Sequence, residues 1–543
     1  MPTNKKLLLF ASGDLFSIGG VQRSYQVLTD YLVKQGWKID VIGWGVNGTD
    51  SGASQAAYKL DDNIKIWLFP KKIGKKLFAA LCEAVTDINP EISLIVNSSQ
   101  LGLIWAQVLT HLDRRYVYSI RGSSEYCLRY LWPSLKTMES VFLNAEYGHV
   151  LMPSYKKMFS DAISAKLEVI PSQIEPSKIN AIPDKLNASG RYVVLYSGRF
   201  SFEKRVDLLI EAFSNIRNDF PEWDLWLYGA GPLENTLKAL SEKLDGKDRI
   251  IFGQVNNTDE MYEVYPLVHL KVLTSEQEGC PMALREAMAH GVPVIGYEEC
   301  SGTNEIITHG HDGLLLDNDD RVKSLMDGMA SLMSKPELRR SMGNNARVTA
   351  SKYDPLLINR KWEKLLLKAI DGNDSIKTSK KYKEQTEWSE KVLKDMIDKE
   401  RFSNVYIFDR DPVLFEKHKK EYLLIYGHRL FDKKFYLEEY LDVKKLGVDP
   451  LLHYLTTGWV KGYNPSPEFD TRIYSNMYLA SDSKEVCPLY HYYSFGCFNG
   501  YAPVPVKTNY FEKWPNRKPK NVYSIRDDLS EERKYFEKNY NRT

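Results

Sequence analysis

Short apolar runs alternate with amphipathic stretches over the first third of the chain. The strand-like runs are Lys6–Ala11, Trp37–Gly43, Ile92–Asn97 and Arg115–Ile120. Between the first two of these, Val21–Gln35 carries apolar side chains at helical spacing. Strands separated by helices predict a parallel sheet with helices on both faces, so we expect a doubly wound domain over residues 1–180.

The alternation breaks at a proline-containing stretch and then begins again. Pro171–Asn187 holds three prolines among mainly polar residues, which favours a connection between domains. From Tyr192 the strand and helix patterns return, and they predict a second doubly wound domain over residues 190–353. Residues 354–370 are expected to form a closing helix. Ligands of such sheets bind at the carboxyl ends of the strands, so we expect a cleft between the two domains to hold the ligand.

The remainder of the chain differs in composition and contains a repeat. Residues 371–400 are rich in charge and predict a linker, and residues 401–543 hold 17 of the 34 tyrosines. Phe431–Tyr440 reads FDKKFYLEEY, and FDTRIYSNMY follows 38 residues later; PLLHYLTTGWVKGYNP and PLYHYYSFGCFNGYAP match at the same offset. This match predicts a tandem repeat of a small, mainly helical unit, with copies at 431–468 and 469–506.

Composition excludes several classes of protein for this 543-residue chain. A net charge of +2 argues against a nucleic-acid binder with a large basic field. No apolar run is long enough for a transmembrane helix. The six cysteines lack C-x-x-C spacing, which argues against both a disulfide framework and a zinc site. We therefore expect a cytoplasmic protein without a bound metal.

Two cations follow the first strand of the second domain. Gly198 and Arg199 come directly after YVVLYS, and Lys204 lies five residues further on. A strand end that leads into a helix is where phosphates bind, and arginine and lysine together suit a diphosphate. The alternative is a solvated loop with two ordinary surface cations.

Two glutamates lie seven residues apart in the segment SEQEGCPMALREAMAHGVPVIG. Glu278 is expected in the loop after a strand, and Glu286 about one turn inside the next helix. The start of that helix offers backbone N–H groups to an anion. Glu286 is suited to accept hydrogen bonds from a ribose diol and Glu278 from sugar hydroxyls. The alternative is a pair of unrelated surface glutamates.

Together these residues resemble the motif of the retaining glycosyltransferases of family 4. The resemblance covers about residues 1–370 and is strongest from Tyr192 to Leu316. It implies the GT-B fold, with two Rossmann-like domains facing a cleft that holds a nucleotide-sugar. It also implies that a sugar moves from a nucleotide-diphosphate donor, with UDP favoured, to a glycan, lipid-linked or protein acceptor in surface polysaccharide or glycoconjugate synthesis.

The resemblance assigns roles to individual residues. Arg199 and Lys204 would neutralise the donor diphosphate, Glu286 would bind the ribose and Glu278 the transferred sugar. The remaining donor contacts that it implies are Gly19, Gly20, Gly198, Gln254, Val255, Gly279, Cys280, Pro281, Met282 and Glu305. Gly19 and Gly20 correspond to a glycine-rich loop of the first domain, Gln254 and Val255 to the base side, and Glu305 to a glutamate in a helix.

One position departs from the family pattern. Many members carry a histidine after the strand that matches Tyr116–Ile120, whereas this chain has Arg121 there. Arg121 either contacts the donor or an anionic acceptor, or is a loop arginine paired with Glu125. The family needs no metal, because cations and helix N-termini stabilise the departing diphosphate. No carboxylate is assigned as a covalent nucleophile, which favours a front-face mechanism.

Three alternatives stay open at this point. A catalytically silent GT-B scaffold would bind glycan or a partner protein through its tail, whose tyrosines suit sugar stacking, a subunit interface or their own core. Lys71, Lys72, Lys75 and Lys76 precede an apolar stretch and suit either a peripheral contact with the inner face of the cell membrane or a solvated turn. A GT-B phosphorylase is disfavoured, since no pyridoxal-phosphate lysine site is evident.

Overall fold

The computed structural model describes most of the first 372 residues and part of the tail. The described residues are 5–11, 20–45, 59–70, 75–98, 102–124, 127–128, 135–244, 248–255, 257–372, 418, 421–422, 425, 430–446, 448–479 and 486–494. Several predicted features lie outside them: Gly19, Lys71, Lys72, nearly all of the charged linker, and the second repeat copy beyond Ser494.

Seven parallel strands form the sheet of the first domain. They are β1 (Lys6–Ala11), β2 (Lys38–Gly45), β3 (Lys65–Pro70), β4 (Ile92–Val96), β5 (Tyr116–Ser119), β6 (Tyr147–Val150) and β7 (Leu167–Val169). Their order is β3-β2-β1-β4-β5-β6-β7, with every neighbouring pair parallel. The helices are α1 (Gly20–Lys34), α2 (Lys75–Ile88), α3 (Gly102–His111), α4 (Leu135–Leu143) and α5 (Asp161–Ser164), with a 3-10 turn at Pro153–Met158.

Six parallel strands form the sheet of the second domain. They are β8 (Tyr192–Ser197), β9 (Trp223–Tyr228), β10 (Ile250–Gly253), β11 (Leu270–Val272), β12 (Val294–Tyr297) and β13 (Gly313–Leu316), in the order β10-β9-β8-β11-β12-β13. The helices are α6 (Val206–Ile216), α7 (Glu234–Lys243), α8 (Thr258–Val264), α9 (Met282–Ala289), α10 (Arg321–Met333) and α11 (Pro336–Ala350), with 3-10 turns at Phe202–Lys204, Tyr265–Leu267 and Ser351–Tyr353. The last described helix before the tail, α12 (Pro355–Ile370), follows them in the chain. Both sheets confirm the predicted pair of Rossmann-like domains.

Continuous apolar runs explain the central strands. Leu7–Ala11 in β1 and Val193–Tyr196 in β8 have at most 1% of their surface exposed. A strand buried on both faces needs apolar side chains at every position rather than at alternate ones. The break at 171–187 is irregular chain, as its prolines predict.

The closing helix α12 belongs to the core of the first domain. Its buried side chains Ile358, Trp362 and Leu366 pack in the cluster that holds Leu9 and Leu28. Trp362 has no exposed surface, and its ring lies against the ring of His149, with the centroids 4.4 Å apart. The chain thus leaves the first domain, forms the second, and returns to complete the first.

The described residues divide into two compact units. The first comprises 1–199, 203–230 and 241–403, and it holds both sheets. The second comprises Phe200–Phe202, Gly231–Leu240 and residues 404–543. The described tail helices are α13 (Lys433–Glu439), α14 (Leu441–Leu446), α15 (Pro450–His453), which continues as a π-helical turn at Tyr454–Gly458, α16 (Thr471–Tyr478) and α17 (Pro488–Ser494). The helical content agrees with the expectation for this region.

The same contacts recur in the tail at an offset of 38 residues. Tyr436 Oη lies 3.0 Å from His453 Nδ1, and Tyr474 Oη lies 3.1 Å from His491 Nδ1. The helix that carries each tyrosine begins at an aspartate whose side chain accepts backbone N–H bonds, and these aspartates are Asp432 and Asp470. Tyr436 and Tyr474 have no exposed surface, so these rings form the core of their own unit.

The predicted membrane-contact helix contributes its apolar face to the first domain. In α2, Leu77, Leu81 and Val85 are buried, and Lys76 is exposed. No helix among the described residues combines the length and the apolar character needed to cross a bilayer. Contact of the lysine segment with a membrane surface stays a prediction.

We predict that replacing Trp362 with alanine removes about 3–5 kcal/mol from the free energy of unfolding, because it leaves a cavity in the core that α12 completes. Urea unfolding of the full chain, followed by tryptophan fluorescence and circular dichroism, measures the loss. Leu357→Ala is the matched control on the same helix; Leu357 is 49% exposed, and its change should cost under about 1 kcal/mol. A loss from Trp362→Ala below 1 kcal/mol would show that α12 does not hold the first domain together.

Candidate active site

The predicted cations lie where β8 ends. Ser197 is the last residue of the strand, and the exposed residues Gly198 and Arg199 follow it. The Arg199 side chain forms no ion pair or side-chain hydrogen bond with the described part of the chain. Lys204 ends the short 3-10 turn that leads into α6. This edge of the sheet therefore presents one available guanidinium and one ammonium to a ligand.

Lys204 and Glu278 form an ion pair. Lys204 Nζ donates to Glu278 Oε1 at 2.7 Å, and Ser275 Oγ donates to the same oxygen at 2.6 Å. Burial opposes the charge on Lys204, but the Glu278 carboxylate outweighs it and raises the pKa of the ammonium. Lys204 is therefore fully charged at neutral pH, and the sequence-predicted cation and carboxylate belong to one site.

The loop from Glu278 to Met282 approaches the first domain closely. A Cβ on Gly279 would lie 3.0 Å from the carbonyl oxygen of Arg121, so a larger residue there would need a small shift of this backbone. Tyr155 Oη donates to the carbonyls of Glu278 and Gly279, both at 2.6 Å. The loop is thus held from the first domain at the point where it enters α9.

The first turn of α9 follows this loop directly. Cys280 is buried, Pro281 occupies the N-cap, and Met282 begins the helix. A Cβ on Gly20, at the start of α1, would meet Met282 Sδ at 2.8 Å. The structure therefore brings the predicted glycine of the first domain against the predicted donor loop. The backbone N–H groups at the N-terminus of α9 favour an anion at this place.

Glu286 is a buried carboxylate, not a surface residue. It lies on α9 with 6% of its surface exposed, and Tyr265 Oη donates to its Oε2 at 3.1 Å. Arg23 Nη1 of helix α1 lies 3.7 Å from Glu286 Oε1. Burial raises the pKa of Glu286, and the Arg23 charge and the Tyr265 hydrogen bond offset this only in part. Arg23 also donates to Tyr262 Oη at 3.1 Å, so α1 and the second domain share a polar contact.

Arg121 lies in the interior of the first domain. Its guanidinium donates to Ser24 Oγ at 3.3 Å and lies 5.2 Å from the centre of the Trp362 ring. Burial lowers the pKa of Arg121 to about 10, which leaves it charged at neutral pH. Its Nε and Nη2 atoms are buried and have no hydrogen-bond partner among the described residues. The contact between Arg121 and the loop that begins at Glu278 is made by the Arg121 backbone, whose carbonyl oxygen faces Gly279.

Gln254 and Val255, which were predicted to lie near the base of the donor, take no part in the contacts described above. Gln254 follows β10 and is exposed, and Val255 packs partly against the core of the second domain. Neither is shown in contact with Glu278 or Glu286.

The position of Glu305 corrects one expectation. Residues 301–306 form successive turns, not the helix that the resemblance implied, because Gly302 takes a left-handed φ of 83° and the chain bends there. Glu305 is exposed at this bend and accepts hydrogen bonds from the backbone N–H and the hydroxyl of Ser154.

Sequence reasoning missed two charged residues of this site. Arg23 lies within the amphipathic pattern of α1, where an arginine looks like an ordinary surface residue and does not indicate a binding site. Lys271 interrupts the apolar strand HLKVL, and a lysine inside a central strand was a usable signal. Within the described ranges, no group of three or more His, Cys, Asp or Glu side chains could hold a metal ion.

The chain is similar to known glycosyltransferases. Residues 178–349 match the family model described as glycosyl transferases group 1. An uncharacterized glycosyltransferase of Haemophilus influenzae is 24% identical over 363 residues, which cover 64% of this chain and 97% of the relative. A Campylobacter jejuni α-1,4-N-acetyl-D-galactosaminyltransferase, whose name specifies an undecaprenol-linked substrate, is 22% identical over 64% of this chain and 95% of its own length.

Solved structures identify the fold. Anabaena HepE, in a crystal structure with UDP, superposes with a TM-score of 0.54 at 17% identity, over 67% of this chain and 99% of HepE. The chain has the GT-B fold, and its residues 178–349 are similar to glycosyl transferases of group 1.

We predict that Arg23→Met lowers the free energy of unfolding by about 3 kcal/mol at pH 8 and by less at pH 5. Without Arg23 the pKa of Glu286 rises further, and a carboxyl whose folded pKa is raised loses stability as pH rises through that value. Urea unfolding at the two pH values measures the difference. In the double variant Arg23→Met with Glu286→Gln, the loss of unfolding free energy should be the same at pH 8 and pH 5, because the titrating carboxyl is gone. An equal loss at both pH values in the single variant Arg23→Met would contradict the contact between Arg23 and Glu286.

Proposed function

We propose that this chain is a retaining, family 4-like glycosyltransferase that moves a sugar from a nucleotide-diphosphate donor, with UDP favoured, to a glycan, lipid-linked or protein acceptor. The observation that carries the proposal is the grouping of the available Arg199 with the Lys204–Glu278 ion pair. The UDP named for HepE and the undecaprenol-linked substrate named for the Campylobacter relative support the donor class and a role in surface glycan synthesis.

The cations of the site suit a diphosphate leaving group. Arg199 offers a planar fork of donors and Lys204 a compact charge, and helix α9 adds the positive end of its dipole. Fixed charges and dipoles stabilise the charge that develops as the bond to the sugar breaks, without reorganisation at that moment. We infer that these groups perform the work that a metal ion performs in other transferases, so no cofactor is required.

Glu278 is arranged to hold a sugar hydroxyl. Lys204 and Ser275 both donate to its Oε1, and no described side chain donates to its Oε2. An ionised carboxylate accepts at both oxygens, so Oε2 is open to a hydroxyl of the transferred sugar. Glu286 would accept from the ribose diol in place of its present partners.

Retention follows from a front-face reaction in this proposal. Lys204 neutralises Glu278, and Glu286 is buried beside Arg23, so neither is placed as a covalent nucleophile. The bond from the sugar to the diphosphate breaks, the acceptor oxygen bonds to the same face of the sugar, and its proton passes to the departing phosphate oxygen. The cations of the site stabilise the negative charge of the departing diphosphate, and the diphosphate in turn stabilises the oxocarbenium-like sugar beside it.

The direct test is a thermal-shift screen of UDP-sugars and GDP-sugars followed by measurement of donor hydrolysis. A binding donor raises the melting temperature, since it binds only the folded state. Binding with turnover supports the transferase. Binding without turnover would favour the silent scaffold. The absence of both binding and turnover would overturn the nucleotide-sugar proposal.

Lys204→Ala and Glu286→Ala should each lower kcat/KM for donor hydrolysis by at least about 100-fold, because each removes a fixed group that contacts the diphosphate or the ribose. Lys323→Ala is the matched control, since Lys323 is exposed on α10. Steady-state kinetics measure the effect. Rates of both variants within a factor of two of the unmodified protein would refute the site assignment.

Treatment with EDTA should leave the rate of donor hydrolysis unchanged, because cations of the chain neutralise the leaving group. The rate is compared before and after dialysis against EDTA, with a metal add-back as the control. A rate that falls with EDTA and returns with Mg²⁺ or Mn²⁺ would contradict metal independence.

A further inference from the structure

Lys271 is a lysine inside the central sheet of the second domain. It is the middle residue of β11, which pairs with β8 on one side and β12 on the other. None of its surface is exposed. A central parallel strand is normally apolar throughout, and a lysine there loses the hydration of its charge. The position therefore requires a reason other than packing.

The ammonium of Lys271 is directed to the end of the neighbouring strand. Its Nζ donates to Ser197 Oγ at 2.8 Å and to the Ser197 carbonyl at 3.3 Å, and it lies 5.1 Å from the centre of the Tyr196 ring. Ser197 is the residue before Gly198 and Arg199. Lys271 thus fixes the point at which the chain leaves the sheet to form the predicted diphosphate loop.

No carboxylate in the part of the chain that the structure describes forms an ion pair with Lys271. Two of its three N–H donors are used by Ser197, and both acceptors are neutral. A buried charge without a counter-ion is costly, and it is tolerated where the charge is lost or where a ligand supplies the opposite charge. Lys271 therefore has no ion-pair partner of its own among the described residues. It also lies at the edge of the sheet where the candidate site needs positive charge to bind the donor.

The charged and titratable groups around Lys271 come from four elements. They are Glu286 of α9, Glu278 of the loop after β11, Lys204 of the 3-10 turn and Tyr196 of β8. Burial lowers the pKa of Lys271 to about 7; the two glutamates offset this in part, and Lys204 adds to it. At pH 8 most of the unliganded protein would carry Lys271 without its proton.

Lys271 is also coupled electrostatically to the predicted ribose carboxylate. The charge of Glu286 favours the protonated form of Lys271, and Tyr265 Oη donates to Glu286 Oε2 at 3.1 Å. Lys271 and Glu286 thus belong to the same polar region at this edge of the sheet.

We propose that Lys271 is a positioning residue of the diphosphate subsite, and that a bound diphosphate is the counter-charge for its buried ammonium. This inference rests on the proposed function. Lys271 acts through Ser197 and the loop at Gly198 and Arg199, without contacting the donor. Because the anion favours the charged lysine, binding is accompanied by uptake of a proton from solvent onto Nζ.

Isothermal titration calorimetry of UDP in two buffers of different ionisation enthalpy, both at pH 8, tests the inference. UDP has a fully ionised terminal phosphate at this pH, so it contributes little proton exchange of its own. The native protein should take up about 0.5–1 proton per UDP bound. Lys271→Met should take up fewer than about 0.1, and its affinity should fall by about tenfold.

Two further variants separate positioning from a structural effect. Lys271→Arg keeps a charge that does not titrate, so it should bind UDP without proton uptake. Lys323→Met, at the exposed control position, should keep both affinity and uptake. Melting temperatures of all variants show whether they are folded. A merely structural lysine would change the melting temperature and leave proton uptake as in the native protein.

Each outcome bears on a different statement. Uptake that depends on Lys271 supports the inference. UDP binding with equal proton uptake in the native protein and in Lys271→Met overturns it and leaves the proposed function intact. If the native protein binds neither UDP nor, in the same experiment, GDP, the proposed function fails and the inference fails with it.

Discussion

Trp362 lies without exposed surface in the core of the first domain, although it follows the whole second domain in the chain. This return of α12 ties both ends of the second domain to the first. Contacts between the two domains are then held in place. In these contacts Gly279 lies against the backbone of Arg121, and Arg23 lies near Glu286. A loop that carries two candidate ligand residues needs such support, because a shift of about 1 Å at a reacting centre is costly.

The fold was predictable because the strands are buried on both faces. YVVLYS has the bounds Tyr192–Ser197 in the structure, as the apolar run indicates. Short strands with weaker apolar patterns, such as Leu167–Val169, were not predicted from the sequence. The packing partner of α12 was also outside the reach of periodicity, since an apolar helix face does not say which domain it covers.

The candidate site was predictable where chemistry is local in the sequence. Arg199, Lys204 and Glu278 lie in segments that follow strand ends, and Glu286 lies one turn inside the helix after such a segment; topology alone brings strand ends to one edge. Contacts that join distant segments were not predictable: Arg23 lies near Glu286 of the other domain, and Arg121 lies against the ring of Trp362. The helix expected at Glu305 failed because a single left-handed glycine bends the chain.

The paired contacts of the tail have a consequence for how this region folds. Tyr436 bonds to His453, Tyr474 bonds to His491, and an aspartate caps each helix that carries one of these tyrosines. Each Tyr–His bond joins residues only 17 positions apart in the chain. Contacts of such short sequence separation close small loops and form quickly, so we expect the described part of the tail to acquire them early in folding.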